Sequence, residues 1–195
     1  MSAFRIILPS DQKSKHMSSI FKRIVCIIAI VTALLFFSLI GAAWYLGAFS
    51  SVETSTIHRP VQYFIAAPDS GNYEQALGAL NQLKAYLEST SLAVGLPAVM
   101  LYDDPMVRPL PKVSTRAAYL LADSVKIDPP NVFLSVPSGN AVSAVIDANP
   151  AIAPYKTYPA IREWCERHHL TPDTTGVIIE FYHPDGTIRV EFPVM

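Results

Sequence analysis

Three rhythms of apolar and polar positions divide the chain. The first is a continuous apolar run. From Ile24 to Phe49 no charged residue occurs, and Ile24 to Leu46 is apolar apart from Cys26, Thr32 and Ser38, with Gly41 and Gly47 as small breaks. At about 1.5 Å per residue a helix over 24–46 is roughly 35 Å long, enough to cross a bilayer core. The second rhythm has helical spacing. Tyr73, Ala76, Leu77, Leu80, Leu83 and Leu87 fall on one face and predict a helix packed on a core, opened by Asn72 as N-cap with Gln75 as its capping-box partner. A second helix is predicted from Ala153-Pro-Tyr155 to Leu170, with Pro159 near its first turn, Ile161, Trp164, Cys165 and His168 on the apolar side, and Arg162, Glu163, Glu166 and Arg167 facing water.

The third rhythm is that of strands. Ile57 to Ala67, Gly95 to Tyr102, Val113 to Ala122 and Asn131 to Ala148 are rich in β-branched and aromatic residues, and Pro60 confines the first of them to an edge or a pre-strand turn. The last run, Gly176 to Val194, is broken by His183-Pro-Asp-Gly186 and predicts a β-hairpin. Alternation puts Val177, Ile179 and Phe181 on one face with Ile188, Val190 and Phe192, leaving Glu180, Tyr182, Arg189 and Glu191 on the other. That second face reads either as a solvated surface held by Glu to Arg pairing or as the polar part of a ligand cleft. A carboxylate among aromatics needs a partner or a proton, so it selects cationic or hydrogen-bond-donating ligands.

The order of elements repeats. Strand, helix, strand, strand occurs twice, with Gly71-Asn-Tyr73 answering Ala153-Pro-Tyr155, Gly95 to Pro105 answering Gly176 to Pro184, and Arg116-Ala-Ala-Tyr119 answering Arg189-Val-Glu-Phe192. The predicted fold is α+β: a tandem pseudo-twofold repeat forming an antiparallel sheet with two helices, its natural cleft between the halves, preceded by one transmembrane helix. The expected organisation is a basic N-terminal segment over 1–23, an anchor over 24–46, a Ser- and Thr-rich tether over 47–56 and the folded domain over 57–195.

Charge sharpens this picture. The formal net charge of -1 divides into +4 before residue 50, from Arg5, Lys13, Lys15, Lys22 and Arg23 against Asp11, and -5 after it. Basic residues at the start of the apolar run, with none after it until Arg59, predict an N-terminus in the cytoplasm and a folded part beyond the membrane, periplasmic in a Gram-negative cell. Trp44 and Tyr45 fit the far interface. A cleaved signal peptide would share the apolar core, and Gly41-Ala-Ala43 offers small residues for processing, but the long leader and long run favour an uncleaved anchor. The acidic folded part argues against nucleic acid as a partner.

Candidate chemistry is sparse. Cys26 and Cys165 provide no disulfide or cysteine-metal framework in the folded part, and Cys165 reads as a small core residue, with His168 and His169 the only local bases for a nucleophile. Asp103-Asp-Pro105 admits a metal hypothesis, but adjacent aspartates before proline more often form turns. No phosphate loop, metal cluster or cofactor motif is present in the sequence.

At Gly-x-Tyr73, Tyr102-Asp-Asp-Pro105, Glu180-x-Tyr182 and Glu191-Phe-Pro-Val194 the chain resembles the GyrI-like family of effector-binding domains, most closely its single-pass membrane-anchored members, over roughly 57–195. The resemblance implies a cleft for amphipathic, often cationic, small molecules. It assigns the acidic pocket residue to Glu191 with Glu180 nearby, and aromatic walls to Tyr63, Tyr102, Tyr119, Trp164 and Tyr182. Only the second half supplies the acid, since Ala118 stands at the position corresponding to Glu191. Non-enzymatic binding by a membrane-tethered module is the leading expectation. A hydrolase in which Glu180 and Glu191 activate water needs both acids in one cavity. A membrane-tethered interaction scaffold, the third reading, predicts a collapsed cleft.

Overall fold

A computed structural model of the chain describes residues 10–68, 71–90, 92, 94–124 and 131–195. The chain divides into two compact units, one ending at Tyr45 and the other spanning Leu46–Met195. The first is a single helix, α1 (Ser10–Tyr45). Its Phe21–Tyr45 stretch, 25 residues of mean hydropathy 2.9, is long and apolar enough to cross a membrane. Residues 1–9 of the basic N-terminal segment lie outside the described residues.

Among the described residues the second unit holds eight strands and two α-helices. In chain order these are β1 (Glu53–Arg59), β2 (Gln62–Ala66), α2 (Tyr73–Thr90), β3 (Val94–Leu101), β4 (Thr115–Leu121), β5 (Val132–Val136), β6 (Gly139–Asp147), α3 (Ala153–His168), β7 (Ile178–Tyr182) and β8 (Thr187–Pro193), with a 3₁₀ turn at Leu110–Lys112. The strands form one antiparallel sheet in the order β1-β6-β8-β7-β3-β4-β2-β5. Within it β2-α2-β3-β4 and β6-α3-β7-β8 are the two repeats, and β3 pairs with β7 across the pseudo-dyad, Val99 opposite Glu180. The α+β expectation with a tandem repeat is therefore met.

Two boundaries differ from the sequence reading. Glu53 to Thr56, expected as tether, forms the first half of edge strand β1 paired with β6; all four residues carry hydroxyl or carboxylate side chains that tolerate solvent, and threonine is a good strand former. Pro159 sits in the interior of α3 and not in its first turn. There it offers no N–H to the carbonyl of Tyr155 one turn earlier.

The start of α2 folds as its residues dictate. Asn72 Oδ1 accepts the N–H of Gln75 at 3.0 Å, and Gln75 Oε1 accepts the N–H of Asn72 at 3.1 Å, a reciprocal capping box. Tyr73, Ala76, Leu80, Leu83 and Leu87 then point inward. Both helices lie over one face of the sheet, where they share a core with Ile65, Val99, Leu101, Ile146, Ile178, Ile188, Val190 and Phe192. A second core of Phe64, Ala98, Met100, Ile179 and Phe181 fills the other face.

The hairpin register departs from expectation by one residue. Ile179 faces Glu191, Glu180 faces Val190, Phe181 faces Arg189 and Tyr182 faces Ile188. Cross-strand partners share a face, so Glu180 and Tyr182 belong to the helix side, whereas Glu191 and Arg189 belong to the side of Ile179 and Phe181. The reason is that β7 is buried on both faces, Ile178 to Phe181 being 3% exposed or less, so apolar alternation does not specify which way it points.

Glu191 acts in closing the sheet. Only Pro60 and Val61 join β1 at one end of the strand order to the β2–β5 pair at the other, a span of at most about 11 Å over three Cα steps. The sheet therefore curls until its ends approach. Gln62 Nε2 on β2 donates to Glu191 Oε2 at 3.2 Å, Arg59 Nη1 on β1 donates to the carbonyl of Val177 at 3.2 Å, and Arg189 lies 3.3 Å from Glu191 and 4.7 Å over the Phe181 ring. Burial lowers the Arg59 pKa, and the negative charges of Glu191 and Asp173 oppose that shift.

Removing one member of this buried charge cluster strands the others. Glu191→Ala is expected to lower stability by about 3–5 kcal/mol in denaturant unfolding, whereas Glu163→Ala, which breaks an exposed pair with Arg167, should cost under about 1 kcal/mol. Equal effects of the two substitutions would contradict the latch.

Candidate functional site

The helix face carries one buried charge without a cationic partner among the described residues, Glu180 on central strand β7. It is 1% exposed and three phenols surround it. Tyr73 OH at the start of α2 donates to Oε2 at 2.5 Å, Tyr158 OH on α3 donates to Oε1 at 2.6 Å, and Tyr182 OH on β7 donates to Oε2 at 2.9 Å. The Tyr73 and Tyr182 oxygens are 3.1 Å apart. An ionised carboxylate has four lone-pair positions, so three O–H donors suit it and no proton is needed to complete the set.

Local sequence explains each placement. The capping box fixes Tyr73 as the first residue of α2, aimed at the sheet. Tyr158 shares the buried side of α3 with Ala153, Ile161 and Cys165. Tyr182 lies two residues beyond Glu180 on β7 and so on the same face. Burial raises the Glu180 pKa, and the bonds from Tyr158, Tyr73 and Tyr182 pull it back. The same burial, with the charge of Glu180, raises all three phenols far above their ordinary range, so they remain donors.

Above this cluster a groove runs between the two helices. Two contiguous hollows of about 300 Å³ each make it up. One is lined by Tyr73, Glu74, Leu77, Asn149, Pro150 and Ala151, the other by Pro105, Met106, Pro109, Tyr158, Pro159 and Arg162, and Leu110, Pro111, Pro154 and Tyr155 belong to both. The walls are mostly apolar; Tyr73 lines the first hollow and Tyr158 the second, and the hydroxyls of both donate to Glu180, which lines neither. A cation held in either hollow would be drawn to a phenol whose hydroxyl is bonded to a buried carboxylate.

Of the residues expected from sequence, Glu180 and Tyr182 come together here. Glu191 lies on the opposite face in the sheet latch. Tyr63 stacks on Phe133 at 5.8 Å. Tyr119 lies beneath the far end of α2, where burial and, to a lesser extent, the charge of Glu88 raise its pKa; fifteen residues of helix, roughly 22 Å, separate Glu88 from Tyr73. Tyr102 is 41% exposed, 6.0 Å from Arg116 on the other face. Trp164 donates to Thr56 Oγ1 at 3.0 Å and holds α3 to β1. Because Glu180 and Glu191 sit on opposite faces of the sheet, the two-acid hydrolase lacks its shared cavity.

Neither Tyr73 nor Tyr158 was expected as a site residue, although Tyr73 stands in the Gly-x-Tyr motif and in the stripe of α2. Tyr73 was absorbed into the apolar stripe of α2, and its position at the helix start beside Gly71 was the available signal. Asp103 and Asp104 are turn formers: Asp103 accepts from Arg108 and from the N–H of Ser114, both at 2.7 Å, and Asp104 Oδ1 accepts from the N–H of Met106 at 2.8 Å. Cys165 is a core residue whose thiol pKa is raised by burial.

No protein-family model matches the chain, and no curated protein is similar to it in sequence. Solved structures do share its fold. The EcmrR C-terminal domain superimposes with a TM-score of 0.59 at 13% identity, covering 74% of this chain and 98% of that one. An uncharacterized conserved protein from Listeria innocua gives 0.54 at 14% identity, covering 73% and 92%. An integron cassette protein from Vibrio cholerae gives 0.52 at 13% identity, covering 75% and 99%. At these identities the likeness concerns the fold.

Glu180 sets a pH dependence whose sign follows from its raised pKa. An acid with a raised folded-state pKa contributes stability that is complete below the ordinary carboxylate range and is lost as pH climbs through the raised value. Thermal melts should therefore show stability falling across that window in the native chain and a flatter profile in Glu180→Gln. Tyr158→Phe, which removes one donor to the carboxylate, should cost about 1.5–3 kcal/mol, with the larger loss on the alkaline side where Glu180 is ionised. A flat native profile would contradict a buried titrating Glu180.

Proposed function

We propose that this chain is a membrane-anchored member of the GyrI-like family that binds amphipathic cations without transforming them, by sensing or sequestration. The observation carrying this reading is Glu180, a carboxylate 1% exposed and held by three phenols, two of which line an apolar groove. Burying such a charge without a cation is unfavourable, and a ligand that supplies the cation recovers part of that cost. The apolar walls at Leu77, Leu110, Pro111 and Pro154 receive the hydrocarbon body, and the rings of Tyr73 and Tyr158 receive the charge. The anchor is α1, with its N-terminus in the cytoplasm and the folded unit on the other side, as the basic residues preceding Ile24 indicate. An interaction scaffold would not need this groove.

The binding role rests on Glu180 in place of Glu191. In the full chain, lipophilic quaternary ammonium ions should raise the melting temperature, whereas matched anions and neutral molecules should not. Glu180→Gln should weaken the ammonium by about tenfold or more, the equivalent of 1.4 kcal/mol or above, while remaining folded. Cation affinity should rise with pH as Glu180 loses its proton, because ligand and proton compete for one carboxylate. Undiminished affinity in Glu180→Gln, or equal shifts from anions, would refute this assignment.

A further inference from the structure

The residues that follow the apolar helix are held on the folded unit and do not form a free tether. Asn149 N–H donates to the carbonyl of Leu46 at 3.0 Å. Lys156 Nζ donates to the carbonyl of Ala48 at 2.8 Å and also to that of Ser50. Gly47, at a φ of 77°, backs onto Ala148 so closely that a Cβ there would meet the Ala148 Cα at 2.6 Å. The clamp is thus built from three separate contacts within the second unit.

One of the clamping residues lines the groove, and another adjoins a residue that does. Asn149 lines it, and Tyr155, which immediately precedes Lys156, lines both of its hollows. Leu46 is the next residue after Tyr45, where the apolar helix ends. One Cα step of 3.8 Å therefore separates the last residue of the helix from a residue hydrogen-bonded to the groove wall. Phe49, within the clamped segment, is 62% exposed, and Tyr155 is 71% exposed. Exposed aromatics so close in sequence and bonding to the end of a spanning helix suit a lipid–water interface.

We propose that the groove draws its ligand from the bilayer: its occupant is a long-chain amine already partitioned into the membrane, entering past Tyr155. This rests on the cation-binding reading above and specifies the source and the chain-like body of the ligand. Partitioning concentrates such an amine at the membrane surface, and the clamp leaves no free linker between the end of the apolar helix and the unit that carries the groove. A flexible tether would dilute this advantage, since the effective concentration falls as the tether lengthens. The mostly apolar lining fits an alkyl chain, with the ammonium directed to the phenols over Glu180.

The test uses the full chain in phosphatidylcholine vesicles against a variant carrying a flexible Gly/Ser insert of about twelve residues between Tyr45 and Leu46. Such an insert has an r.m.s. reach of roughly 20 Å and leaves the clamp intact. A fluorescent long-chain amine dissolved in the vesicles should be captured about tenfold less well by the insert variant, while tetrabutylammonium supplied from water should bind both chains equally. Equal capture of the long-chain amine by both chains overturns the membrane route but leaves the binding reading standing. Binding of neither probe by either chain overturns both. A second measurement is independent of ligand. Tyr155→Trp, with Trp44→Phe and Trp164→Phe, should be quenched by phosphatidylcholine brominated near the headgroup, and the insert should relieve the quenching. An unquenched Trp at position 155 in the uninserted chain overturns the proposal.

Discussion

The buried carboxylate of Glu180 is the constraint around which the folded unit is arranged. It lies on the strand next to the pseudo-dyad, and its three donors come from the first residue of α2, the middle of α3 and β7 itself. One side chain thus ties both helices to the centre of the sheet. A charge in that position is costly unless hydrogen-bond donors surround it, so the placement of both helices and the register of the sheet are mutually dependent. The twofold repeat is broken at this point: Val99 on β3 stands opposite Glu180 on β7, so one half supplies the acid and the other supplies hydrocarbon.

The two acids of the final hairpin show how one register decides two roles. Glu180 and Glu191 are similar in burial and lie on adjacent strands, yet their surroundings are opposite. Glu191 meets Arg189, Gln62 and the field of Arg59, and its negative charge helps hold the curled sheet closed. Glu180 accepts hydrogen bonds from three hydroxyl groups and has no cationic partner among the described residues. The first arrangement is structural, and the second is the one with chemical capacity to spare.

Much of the fold was legible in the sequence. The long apolar run, the Asn72 to Gln75 capping box, the Leu stripe of α2 and the order of strand, helix, strand, strand each follow from local patterns that the structure contains. The hairpin register was not legible, because Ile178, Ile179 and Phe181 leave both faces of β7 equally apolar and a one-residue shift exchanges its faces. The site was half legible for the same reason. Glu180 and Tyr182 stood out as an acid and an aromatic, but Tyr73 looked like a core residue of α2 and Tyr158 lay outside the apolar side read for α3. Their convergence on one carboxylate depends on how α2 and α3 cross the sheet, which is a property of tertiary packing. The clamp at Leu46 to Ser50 was hidden as well, since it is made largely by backbone groups that carry no residue-specific signal.

The central claim is that the Glu180 carboxylate exchanges its proton for a bound cation. Infrared difference spectroscopy reads that exchange directly, by adding a lipophilic quaternary ammonium ion on the acid side of the Glu180 titration. The account predicts loss of a buried carboxylic-acid C=O band with a matching gain of carboxylate bands, both missing from Glu180→Gln and both kept in Glu191→Gln provided that variant folds. A difference spectrum without these bands, or the same bands in Glu180→Gln, would contradict it.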